Sequence, residues 1–265
     1  MSPAPKPTTY KQYRKFEVLL DDLRKWIVSP EEDRRDQMAY CADQVGKFTQ
    51  TLVYNPSQVS QIIDTINLLR ASAGPGVVIT EEELMRCLSD LMFLCVNVLL
   101  QKRHCDVGSS NQDQITPECE TACHAILDQL IDFARGCFSV NRPRDSFGGK
   151  RRIQAFSMLG KASRILKIPD VFELAQQTLK DKKSGRDASG ALAFLEEYFS
   201  HNKEPVSDAL QATLKKFATR TSNRSLATGA LNILVITNCI SEFEARDRID
   251  TWKEAHQLPQ QNFEI

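Results

Sequence analysis

From Tyr13 to Trp252, apolar side chains return every three or four positions, and only one short run, Val77-Val78-Ile79, has the look of a strand. Phe16, Leu19, Leu20, Leu23, Trp26 and Ile27 trace the first of these stripes, the mark of a helix that buries one face. A single strand-like run has nothing to pair with, so this spacing leaves helices packed on helices. The expected fold class is all-α, with about ten or eleven helices in 265 residues.

Stop and start signals divide the stripes. Ser29-Pro30-Glu31-Glu32 sets a capping serine before a proline and two glutamates, and Asn55-Pro56 ends the next helix because the residue before proline avoids helical dihedrals. Ala73-Gly74-Pro75-Gly76 is a break. Thr80 with Glu83 reads as a capping box for a helix that is apolar nearly all round from Leu91 to Leu100, with Asn97 inside it. That run is about half of the roughly 20 residues a membrane span needs, so it is expected in a packed interior. Thr116-Pro117-Glu118 opens another helix, and Trp26 and Trp252 are expected as core anchors.

The expected organisation is a loose tail at 1–9, an N-terminal helical bundle at 10–137, a basic exposed loop at 138–149, helical pairs over 150–258 and a second tail at 259–265, in one continuous unit. Gln154-Ala155-Phe156, Gly190-Ala191-Leu192 and Gly229-Ala230-Leu231 each begin a short apolar helix, 36 and 39 residues apart, and a further helix follows each near Pro169, Pro205 and Ser241. Small residues at matching points suit close stacking. In the pairs 150–183, 186–221 and 224–257 the chain resembles the armadillo and HEAT group of α-solenoids, whose repeats span roughly 40 to 47 residues. The resemblance implies stacked helical hairpins that present a surface to a protein or nucleic-acid ligand, and it implies no catalytic residues.

Charge is unevenly placed. The chain is neutral overall, yet residues 1–140 hold 14 Lys and Arg against 19 Asp and Glu, and residues 141–265 hold 20 against 15. Arg142, Arg144, Lys150, Arg151, Arg152, Lys161, Arg164 and Lys167 face only Asp145 in the span 141–168, and Lys182 and Lys183 extend the stretch. On one long helix, Lys150, Lys161, Arg164 and Lys167 would share a side. Such a side suits an acidic protein segment or, as a second reading, the phosphates of RNA or DNA. The competing expectation is a solvated face neutralised by the molecule's own carboxylates.

No chemistry-bearing motif stands out. His104, Cys105, Cys119, Cys123 and His124 gather Cys and His, but their spacing lacks a CxxC pair, so packed thiols are expected and no metal. The Gly-Lys steps at Gly149-Lys150 and Gly160-Lys161 lack the rest of a phosphate loop, and no nucleophile elbow, zinc pair or dinucleotide turn occurs. No cofactor is expected. The leading expectation is a non-catalytic scaffold or adaptor, with an all-α enzyme as the third reading. The start MSPAPKPTTYKQY has no apolar signal core and the cysteines form no disulfide framework, which points to cytoplasm or nucleus.

Overall fold

The computed structural model describes residues 15–29, 31, 34–72, 76–105, 116–139, 148–181 and 187–256. Twelve helices and no strands occur among them: α1 Phe16–Val28, α2 Arg34–Gly46, α3 Thr49–Leu52, α4 Pro56–Ala71, α5 Val77–Cys105, α6 Pro117–Ser139, α7 Gly148–Ala162, α8 Pro169–Lys180, α9 Asp187–His201, α10 Asp208–Arg220, α11 Arg224–Ile236 and α12 Glu242–His256. The count exceeds the expected ten or eleven because the stretch from Glu31 to Tyr54 is interrupted at Lys47 and Phe48. The chain groups into two compact units, Met1–Thr49 with Gln61–Cys87 and Gln50–Ser60 with Leu88–Ile265.

In the first unit, Leu19, Leu20 and Leu23 of α1, Met38 and Val45 of α2, Ile62, Ile66 and Leu69 of α4 and Leu84 of α5 are buried. Phe16 meets Phe48 edge to face at 5.7 Å. Arg24 Nε donates to Thr65 Oγ1 at 3.2 Å, and Arg70 Nε donates to the nearly buried Glu81 at 2.8 Å. The expected capping box at Thr80 and Glu83 does not form. Helix α5 starts at Val77, and Thr80 Oγ1 donates back to the carbonyl of Gly76 at 2.8 Å. Gly76 takes φ +85, with a built Cβ 2.9 Å from Arg35 Cα, so the turn admits only glycine without movement. Val77, Val78 and Ile79, the strand-like run, are helical.

In the second unit, α7 packs between α6 and α9, α9 also lies on α8 and α11, α11 lies on α10 and α12, and α8 touches α10. Side chains cap several starts. Thr116 Oγ1, Ser207 Oγ, Asn223 Oδ1 and Ser241 Oγ each accept the amide three residues on, at 3.1 to 3.3 Å. Asn238, at φ 56, takes the left-handed turn after α11, and the amide of Cys239 closes on the carbonyl of Leu234 at 2.8 Å. Trp252 is half-buried rather than a core anchor, because its indole N–H donates to the Thr221 carbonyl at 2.8 Å while His256 stacks on its ring.

The small residues of the 36- and 39-residue steps sit where helices touch. A Cβ on Gly190 would lie 2.8 Å from Ile153 Cα of α7, and one on Gly229 would lie 3.5 Å from Leu192 of α9. Side chains then tie helix ends at similar spacing. Asn202, after α9, donates to the Ser163 carbonyl after α7 at 3.0 Å, and Arg220 at the end of α10 donates to the Leu179 and Lys180 carbonyls at the end of α8.

Candidate functional site

The basic stretch does not lie along one helix. Helix α7 ends at Ala162, where Ser163 Oγ donates to the Gly160 carbonyl at 2.6 Å and the chain turns. Lys167 sits beyond the turn in non-helical backbone. The expectation that Lys150, Lys161, Arg164 and Lys167 share one helical side therefore gives way to positions on a helix, a turn and an extended connector. Phe138, Ser139, Gly148 and Gly149 of the expected loop 138–149 are helical. Arg142, Arg144, Lys182 and Lys183 lie outside the described residues.

Each later cation meets an acceptor from another element. Arg152 Nε lies 2.8 Å from Asp187 Oδ2 at the start of α9, and its guanidinium stands 5.7 Å from the centre of the Phe138 ring. The N–H does not aim at the carboxylate, so Nε is a buried donor without a hydrogen bond among the described residues. Burial raises the Asp187 carboxyl above its ordinary range, and Arg152 partly opposes that shift. Arg164 pairs with Glu197 of α9. Lys167 Nζ lies 2.8 Å from Glu204 Oε1, and Tyr198 Oη donates to Glu204 Oε2 at 2.5 Å.

Lys161 turns inward. Its Nζ donates to Ser89 Oγ at 2.8 Å and to the Ser89 carbonyl at 3.2 Å, and burial lowers its affinity for the proton against the pull of Asp90 and Glu197. Lys161 and Arg164 stand over the Phe93 ring at 5.9 and 5.3 Å. Lys150 is exposed and Arg151 half-buried at the start of α7.

Sequence reasoning named these cations and missed their partners. Asp187, Glu197 and Glu204 lie 33 to 37 residues downstream of Arg152, Arg164 and Lys167. That interval was the available signal, because α7 packs on α9 and so brings residues about that far apart in the chain side by side.

Cys119 and Cys123 are packed thiols, as expected from their place in an apolar helical pattern. Cys119 and Cys123 of α6 are buried with Cys95 of α5, which the sequence did not single out. The hydrogen bond between Cys95 and Cys123 favours the Cys123 thiolate and pushes the Cys95 thiol up. His124 is exposed, and the side chains of His104 and Cys105 lie outside the described residues. No group of three or more His, Cys, Asp or Glu among the described residues is arranged to hold a metal ion. None of the described helices is long and apolar enough to cross a membrane.

Comparison with family models, curated proteins and solved structures finds no match.

Proposed function

We propose that the chain is a non-catalytic scaffold or adaptor, in which the pairs α7/α8, α9/α10 and α11/α12 form an armadillo/HEAT-like α-solenoid. The observation that carries this reading is a series of inter-helix ties between residues 33 to 41 apart. Arg152 with Asp187 joins the starts of α7 and α9, Arg164 with Glu197 joins their ends, and Asn202 binds the turn after α7. Arg220 does the same between the ends of α10 and α8. The first helices of the first two pairs, α7 and α9, thus run side by side in one direction, and α10 ends beside the end of α8, which suits a stack that grows by repetition.

The partner is an acidic protein segment. It meets the basic surface around 141–186, where Arg152, Arg164 and Lys167 also hold carboxylates and Lys161 faces Ser89. The start of α7, with Lys150 exposed and Arg151 half-buried, belongs to that surface and is flanked in sequence by Arg142 and Arg144. RNA or DNA is the less favoured ligand, because base stacking wants open aromatic faces and Phe156, the aromatic side chain of α7, is buried.

A capture experiment with the wild-type chain and a Lys150→Glu, Arg151→Glu variant tests the reading. Loss of a defined set of acidic proteins with retained helicity supports it. Loss of nuclease-sensitive material with a steep salt dependence selects the nucleic-acid reading instead, and an unchanged set of captured molecules removes the basic surface as a binding site.

A further inference from the structure

Helix α12 ends the described stack with a face on which little is packed. Only Ala245 of its 15 residues is buried, and Phe243 is 82% exposed. Between α11 and α12 lies a groove of about 560 Å³, with Leu231, Val235, Ala245 and Ile249 on its floor and Glu242, Arg246, Asp250 and Lys253 along its α12 rim. At 100° per residue these four charged positions fall within one side of the helix, with Ile249 among them.

The order of charge along that rim is informative. From the N-terminal end it reads acid, base, acid, base. A second α12 laid antiparallel reads base, acid, base, acid, so Glu242 faces Lys253 of the other chain and Arg246 faces its Asp250. A two-fold axis makes each of these pairs twice. A parallel approach in register sets like against like, which is repulsive. Contacts inside the helix satisfy the charges only weakly: Arg246 and Glu242 are 4.0 Å apart and about four-fifths exposed, while Lys253 and Asp250 are closer, at 2.5 Å, but remain 40% and 65% exposed. Exposed pairs of this kind contribute little by themselves, and Arg224, on the α11 rim near Asp250, adds a further cation.

We infer that this face is a self-association surface, on which a second copy of the chain docks its α12 antiparallel, covering Ile249 and the groove floor and matching Glu242 with Lys253 and Arg246 with Asp250. A 15-residue helix is about 22 Å long, so the interface falls in the small class and the dimer is weak, with dissociation in about the micromolar range. This inference does not depend on the scaffold reading above.

Sedimentation equilibrium of the full chain across a concentration series tests it. The expected result is a shift from the 30.0 kDa monomer towards twice that mass, reduced by added salt. Arg246→Glu alone and Asp250→Arg alone should each give monomers with unchanged helical circular dichroism. An equal mixture of the two variants should regain the dimer, because position 246 of each then meets an opposite charge at position 250 of the other. Glu242→Lys and Lys253→Glu form a second such pair. A wild-type monomer at all concentrations, a dimer indifferent to single reversals, or a mixture that stays monomeric would each overturn the inference.

Discussion

Gly190 rests on the backbone of α7, with a built Cβ 2.8 Å from Ile153 Cα and 3.0 Å from the Phe156 ring. Alanine normally gains about 1 kcal/mol over glycine inside a helix, but here it must push two helices apart, which costs about 1–3 kcal/mol. Gly190→Ala is therefore expected to destabilise the chain. Gly229 has only ordinary contact with Leu192 at 3.5 Å, so Gly229→Ala is expected to stabilise it. Thermal melts of the two variants check the opposite signs.

Arg70 and Glu81 form an ion pair whose side chains are 15% and 5% exposed. Removing one partner strands a buried charge, so Glu81→Ala is expected to cost about 3–5 kcal/mol. Asp43→Asn, whose pair with Lys47 is about half exposed on both sides, is expected to leave the unfolding midpoint where it is. Urea denaturation of both variants is the measurement, and equal midpoints would refute the contrast.

Burial, with a smaller contribution from Glu204, pushes the Tyr198 phenol up to about 12. A raised phenol favours the protonated folded state, so its contribution to stability is complete below pH 10 and is lost as pH rises towards about 12. The tyrosinate absorbance of wild type minus that of Tyr198→Phe should show this late titration, and Glu204→Gln should move it to lower pH.

Glu204 shifts the other way. The hydrogen bond from Lys167, then that from Tyr198, lowers its carboxyl below the ordinary 4.5. A lowered carboxyl contributes stability that is present above that ordinary value and is lost as pH falls through the folded one. Lys167→Met is expected to flatten this acid limb, as read from unfolding midpoints at a series of acidic pH values.

Among the described cysteines, Cys239 alone is partly exposed, while Cys95 and Cys123 are fully buried. Thiolate formation and access both limit alkylation. Peptide mapping after brief treatment with a maleimide should find Cys239 modified well before Cys95 and Cys123, and simultaneous labelling would show that the packing around α5 and α6 opens readily.

Helix class and many boundaries were legible in the sequence because they depend on local chemistry. Thr116 before Pro117, Pro56 after Asn55 and Ser241 before Glu242 act within a few residues of themselves, and the apolar stripe of α1 is a property of its own spacing. The Thr80 box failed for a local reason as well: Gly76 supplied the turn four residues earlier, and helix propagation from Val77 absorbed the threonine. The near-40-residue interval was also readable, since the small residues at Gly190 and Gly229 repeat in the chain itself.

What the basic residues do was decided by tertiary structure. Arg152, Arg164 and Lys167 read alike as a positive stretch, and only the packing of α9 on α7 brings Asp187, Glu197 and Glu204 against them. Lys161 lost its place on a shared face when α7 stopped at Ala162 and its Nζ met Ser89, 72 residues away in the chain. Charge falls off over distances of a few ångströms in space, and spacing along a sequence does not report those distances until the helices are stacked.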